Sequence, residues 1–205
     1  TMLHLPGLTF DHGEDIAALR EAVQRFCDGE YPAEHRGNAE TPEQAQGRWA
    51  GMAGLGLLGL PFPADAGGSE QGPVEVMLVA QELGRALGGG AFVSSTVMAG
   101  QLLMRLGSTE QQQRWLPGLA SGELQASVAL YEDGARYDWQ HVQLLARATP
   151  QGHVLNGRKT GVLQGDSARL LLVVARTAGQ GAERQGLSVF AVDVDTPGVQ
   201  VRGFD

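Results

Sequence analysis

The hydrophobic period of this chain changes once, from 3.6 residues to 2, near Gly122. That single switch constrains the fold more than any motif does. Elements that alternate along the chain build parallel α/β sheets, whereas a block of helices followed by a block of strands builds an α+β protein. The expected architecture is an N-terminal all-α helical bundle over residues 1–122 followed by an antiparallel, barrel-like β-domain over residues 123–205.

The helical block is punctuated by start and stop signals. Asp11 and Glu14 have capping-box spacing, and Ile16, Leu19, Val23 and Phe26 then fall on one face. Thr41-Pro42-Glu43-Gln44 is a stronger start, with Thr as cap, Pro in the first helical position and Gln closing the box. Its helix carries Trp49 and Met52. Gly72-Pro73 opens a third helix with Val76, Val79, Ala80 and Leu83 inward, expected to end at Gly88-Gly89-Gly90. Ser94 or Ser95 is the expected cap of a fourth, through Met98, Leu102, Leu103 and Leu106. Ser108-Thr109-Glu110-Gln111 caps a fifth, anchored by Trp115 and Leu116 and expected to stop at Pro117-Gly118.

Beyond Gly122, Leu124, Ala126, Val128 and Leu130 alternate with Gln125, Ser127 and Ala129. Val142, Leu144 and Ala146 form a second alternating run, turned by Pro150-Gln151-Gly152 into His153-Val154-Leu155. Arg169 to Ala175, apolar from Leu170 onward, reads as a strand buried on both faces. Thr177 to Gln185 reads as a loop, Leu187 to Asp193 as a strand, and Val199-Gln200-Val201 as a short last one.

Composition narrows the function. A net charge of −8 repels polyanions, and the 15 Lys and Arg are scattered, so nucleic acid is not an expected partner. No apolar run approaches the ~20 residues needed to span a bilayer, and Met2-Leu3-His4-Leu5-Pro6-Gly7 lacks the basic start of a signal peptide. The cytoplasm is the expected compartment. Cys27, the only cysteine, reads as a small buried hydrophobe beside Phe26. The five histidines, His4, His12, His35, His141 and His153, show no ligand spacing, so no metal site is expected. Gly54-Leu55-Gly56-Leu57-Leu58-Gly59 matches the dinucleotide fingerprint in letters only. A helix precedes it where a strand is required, so it reads as a helix end whose glycines allow close packing. Glu132, Asp133 and Asp138 read as solvated loop acids.

Seven segments then occur in a specific order. They are Leu55-Gly56-Leu57-Leu58-Gly59-Leu60-Pro61, Ala64-Asp65-Ala66-Gly67-Gly68, Gln81-Glu82-Leu83-Gly84-Arg85, Gly107-Ser108-Thr109-Glu110-Gln111-Gln112, Leu116-Pro117-Gly118-Leu119-Ala120-Ser121-Gly122-Glu123, Ser127-Val128-Ala129-Leu130-Tyr131-Glu132-Asp133-Gly134-Ala135 and Leu155-Asn156-Gly157-Arg158-Lys159-Thr160. In this order, over nearly the whole chain, they resemble the acyl-CoA dehydrogenases. The resemblance implies FAD as cofactor, an acyl-CoA thioester as substrate, the trans-2-enoyl thioester as product and an electron-transfer flavoprotein as acceptor. It also implies assembly into homo- or hetero-oligomers with related subunits.

The resemblance further implies that backbone groups of Leu130, Tyr131, Gly161 and Leu163 surround the flavin ring, with Arg136 and Tyr137 toward the phosphates. Tyr131 stands where the family run has Thr, Arg136-Tyr137 where it has Gly-Ser, Gly161 where it has an aromatic and Leu163 where it has a hydroxyl. Asp205 falls inside the family's middle domain. The family's catalytic carboxylate belongs to a C-terminal helical bundle, so the base is expected outside this chain and no residue of it is assigned as catalytic. Those substitutions motivate a second expectation: a non-catalytic, flavin-poor subunit of a heteromeric acyl-CoA dehydrogenase. Flavin monooxygenases and nitroalkane oxidases share the same clasp and form a third class.

Overall fold

In the computed structural model, which describes residues 13–35, 40–136 and 138–203, five α-helices and a π-helix precede a five-stranded sheet. Asp11, His4, His12, Tyr137 and the 2–7 segment lie outside the described residues. The α+β class holds.

Helix α1 (Glu14–Glu30) buries Val23 and Cys27 completely. Helix α2 (Pro42–Gly54) begins with the expected capping box: Gln44 N donates to Thr41 Oγ1, and Thr41 N to Gln44 Oε1 at 3.0 Å. Helix α3 (Pro73–Arg85) stops before the expected glycines. Leu87 takes φ 54, Gly88 N bonds to Leu83 O and Leu87 N to Gly84 O, a Schellman close that uses up the last carbonyls.

The fourth helix departs from expectation. A π-helix, Phe92–Gly100, runs into α4 (Gln101–Leu106), and Ser94 and Ser95 lie inside it rather than capping it. Their hydroxyls have other partners: Ser94 donates to Ala91 O, and Ser95 accepts from Ala126 N at 3.1 Å, tying helix to sheet. Helix α5 (Thr109–Ser121) has its capping box but runs through Pro117 to Gly122. Burial of Leu116, Leu119 and Ala120 holds the turn in which proline withholds a donor. Gly122 ends it at φ 78. There Trp49 Nε1 donates to Gly122 O at 2.8 Å, and a Cβ would lie 3.1 Å from Ala53 Cβ and from Leu58 Cδ1.

The strands are β1 (Ala126–Ala129), β2 (Leu145–Thr149), β3 (Gly152–Asn156), β4 (Leu170–Arg176) and β5 (Leu187–Asp193). β4 is central. One edge pairs antiparallel with β5 from Leu170↔Asp193 to Arg176↔Leu187. The other edge is shared by β1, parallel from Ala126↔Leu170 to Ala129↔Val173, and by β2, parallel at Leu145↔Arg176. β2 and β3 form the expected hairpin.

The sheet is therefore mixed, not antiparallel throughout, because residues 130–169 make the crossover that returns β4 alongside β1 in the same direction. The barrel-like curl is present: the His153 ring on β3 lies 5.0 Å from the Phe190 ring on β5, although the two strands flank opposite edges of β4. Val199-Gln200-Val201 is not a strand. Val199 N turns back to Thr196 O, and the segment pairs with no described strand.

β4 is buried on both faces, as expected. Leu170 and Leu172, with Ala126 and Val128 of β1, pack on Phe62, Leu103, Leu116 and Leu119 of the helical block. Val173 and Ala175 turn the other way, onto Ala129, Leu144 and Ala146 inside the curl. A third core, around Val23, Cys27, Trp49, Leu58, Leu83 and Phe92, is built from the residues before the sheet alone. The result is a sheet anchored to the helices on one face, with the ends of β1 and β3 leading into the two loops of interest.

Candidate functional site

β1 ends at Ala129, and its continuation, residues 130–136, runs beside the segment that follows β3. Thr160 N donates to Tyr131 O at 2.9 Å. Lys159 Nζ reaches across to Leu130 O at 3.0 Å and to Glu132 Oε1 at 2.7 Å. Ser127 Oγ donates to Leu163 O at 2.5 Å. These four bonds hold residues 127–132 alongside residues 159–163.

Tyr131 is 37% exposed and Leu163 58%. Gly161 takes φ 60, and a Cβ there would meet nothing within 4 Å. An aromatic residue at that left-handed position would carry ~1–2 kcal/mol of strain, so the missing side chain goes with a backbone suited to glycine. Arg136 lies further along, exposed at φ 52, and makes no ion pair among the described residues. No hydrogen bond joins it to the 161–163 segment. It keeps the left-handed bend that the resembling run assigns to a glycine.

Glu132 corrects the reading of the loop acids as solvated. It is 8% exposed and fully engaged: Oε1 accepts from Lys159 Nζ and from Leu144 N at 3.0 Å, and Oε2 from Gln143 N at 2.8 Å. Burial pushes its carboxyl up, but the Lys159 ammonium and the two amides outweigh it and hold the group below its ordinary range. Burial lowers the Lys159 ammonium, and Glu132 opposes that shift. Asp133 and Asp138 do stay at the surface, the first facing Arg158 at 3.5 Å and the second capping Gln140 N at 3.0 Å.

The pair was legible only as matched letters, since nothing in the local pattern marks a loop glutamate as buried. Ser127 and Arg176 were also missed. Arg176, expected to lie just past a strand, is 3% exposed.

The Gly54–Gly59 segment behaves as a packing element. Helix α2 leads into it, Leu57 and Leu58 are buried, and a Cβ on Gly59 would lie 3.0 Å from Ala120 Cβ. Among the described residues no cluster of His, Cys, Asp and Glu could hold a metal ion, and no helix is long and apolar enough to cross a membrane.

Residues 13–123 match the family model for the acyl-CoA dehydrogenase N-terminal domain, and residues 127–205 match that for the middle domain. The acyl-CoA dehydrogenase FadE12 of Mycobacterium tuberculosis is 30% identical over 193 residues, covering 93% of this chain and 49% of that protein. The mitochondrial isovaleryl-CoA dehydrogenase of Pongo abelii is 34% identical over 154 residues, covering 73% of this chain and 36% of that protein. The crystal structure of an acyl-CoA dehydrogenase from Geobacillus kaustophilus superposes with a TM-score of 0.81 at 27% identity, over 92% of this chain and 50% of that one. The chain spans about half the length of the first two of these at most, and of the third. With both family models laid end to end over nearly all of its residues, the chain belongs to the acyl-CoA dehydrogenase family.

Proposed function

We propose that this chain supplies the N-terminal helical domain (1–122) and middle β-domain (123–205) of a flavin-dependent acyl-CoA dehydrogenase, and that it holds FAD against residues 130–136 and 159–164. The observation that carries this reading is the Glu132–Lys159 pair. A buried ion pair adds little net stability compared with an apolar pair, so its use here is to fix geometry, and what it fixes is two loop segments side by side.

The residues present fit the group. A Cβ on Gly161 would meet nothing within 4 Å, Tyr131 and Leu163 are exposed, and the Arg136 guanidinium makes no ion pair among the described residues. Main-chain groups of Leu130, Tyr131, Gly161 and Leu163 hold the ring, and Arg136 with Tyr137 holds the phosphates, for which a bidentate fork is well shaped. Ser127 immobilises the Leu163–Gln164 peptide through its carbonyl. Bound FAD would accept the hydride lost from the β-carbon of the acyl-CoA thioester. The base that removes the α-proton is a carboxylate outside residues 1–205, and the electrons pass on to an electron-transfer flavoprotein. The working unit is an oligomer of like or related subunits in the cytoplasm.

A second reading has its own observation. Gly161 leaves the ring position without a side chain, and Leu163 replaces a hydroxyl donor with an exposed alkyl group. Both suit a non-catalytic, flavin-poor subunit paired with a catalytic one. Visible absorption of the purified protein, with FAD released on denaturation, separates the two readings. About one FAD per chain supports the first. Flavin near zero, with a related subunit co-purifying, supports the second.

A further inference from the structure

Arg176 ends β4 almost fully buried, and no carboxylate pairs with it among the described residues. Its guanidinium donates instead to six main-chain oxygens. Nε reaches Val142 O at 2.8 Å, and Nη1 reaches Ala178 O and Gln185 O at 3.3 and 3.1 Å. Nη2 reaches Gln140 O, Gly181 O and Glu183 O at 3.3, 2.7 and 3.2 Å. Four of these acceptors belong to the loop of residues 177–186, which the arginine staples. The other two lie on residues 140–142 and lead elsewhere.

The carbonyl of Val142 and the amide of Gln143 are the two ends of one peptide unit. Its oxygen faces Arg176 Nε at 2.8 Å, and its N–H faces Glu132 Oε2, also at 2.8 Å. Two buried charges of opposite sign thus meet across a single peptide whose dipole is aligned with both. Hydrogen bonds linked in this way polarise one another. In the next peptide Leu144 N also donates to Glu132 Oε1, while Leu144 O accepts from the main-chain amide of Arg176 at 2.8 Å. Val142 O and the amides of Gln143 and Leu144 are thus taken by side chains just before β2 begins at Leu145. From Glu132 the chain of contacts continues to Lys159 and on to Leu130 O.

We propose that Arg176 is a positioning residue for the 130–136 segment, holding Glu132 through the Val142–Gln143 peptide and Lys159 through Glu132. What the positioned segment is for rests on the flavin reading above; the coupling does not.

The test uses the full chain with Arg176→Gln, which removes the charge, and Arg176→Lys, which keeps it. Amide exchange is read at Gln143, Leu144 and the 177–186 loop, and acetylation of Lys159 by acetic anhydride is read in the native protein. Arg176→Gln is expected to speed exchange at Gln143 and Leu144, and labelling of Lys159, by about tenfold or more. Arg176→Lys is expected to restore most of the protection at those three positions while the 177–186 loop, which needs the fork, stays loosened. A loop staple alone would loosen 177–186 in both variants and leave Gln143, Leu144 and Lys159 at wild-type rates, which overturns the proposal. Should neither variant fold, native-state exchange of the unaltered protein decides: residues 142–144 and 178–185 opening as one unit upholds the coupling, and opening at separate denaturant concentrations overturns it. A wild-type protein without FAD would sink the flavin reading and leave each of these measurements intact.

Discussion

Lys159 Nζ lies 2.7 Å from Glu132 Oε1 with both side chains under a tenth exposed, and between them they grip Leu130 O and the amides of Gln143 and Leu144. Removing either charge leaves the other buried and uncompensated. Glu132→Gln and Lys159→Met are each expected to cost about 3–5 kcal/mol in urea unfolding. The double variant is expected to cost clearly less than the sum, because the second change removes the orphan left by the first. Additive losses would show that the two groups are not coupled.

Glu132 also sets an acid limb. Its folded carboxyl titrates below its ordinary value of 4.5, so the folded state binds fewer protons than the unfolded chain in that window. Its contribution to stability is complete above the ordinary carboxylate range and is lost as pH falls through it toward the depressed folded value. Urea midpoints between pH about 6 and about 3 are expected to fall less steeply for Glu132→Gln than for the wild type. Parallel slopes would assign the acid limb to other carboxylates.

Leu87 closes α3 in the left-handed conformation and is 74% exposed. A side chain there carries strain and gains little burial, so Leu87→Gly is expected to stabilise the protein by about 1 kcal/mol. A protein of this size should show that as a rise in Tm of about 2–4 °C.

Arg136 has the same backbone strain. Arg136→Gly relieves the φ 52 conformation and is expected to raise stability by ~1 kcal/mol. If the guanidinium holds phosphate, the same change weakens FAD binding by about tenfold or more, the worth of a charge-assisted bond. Calorimetry of unfolding and of FAD binding reads the two signs separately.

Most of the fold was legible in the sequence because helix caps and hydrophobic period are local signals. Thr41-Pro42 and Ser108 start helices where the letters say so, and β4 and β5 fall on their apolar runs. The errors are places where distant partners decided. Ser95 was spent on Ala126 N across the domain boundary instead of on a cap. Pro117 did not stop α5 because Leu116 and Leu119 are buried against the sheet. The parallel pairing of β1 with β4 depends on a crossover with no local signature. The family run drew attention to residues 130–136 and 159–164, but nothing local to Glu132 or Arg176 announces that each ends up buried. Glu132 is enclosed by Lys159 and the amides of 143–144, and Arg176 by carbonyls of 140–142 and 178–185, partners distant in sequence from the first and contributed largely by loops for the second.

The most direct measurement of the central claim is hydrogen–deuterium exchange of the full chain with and without FAD. Protection confined to residues 130–136 and 159–164 is the expected result. Protection at Gly54–Gly59, or none anywhere, would contradict the assignment of those two segments to the flavin.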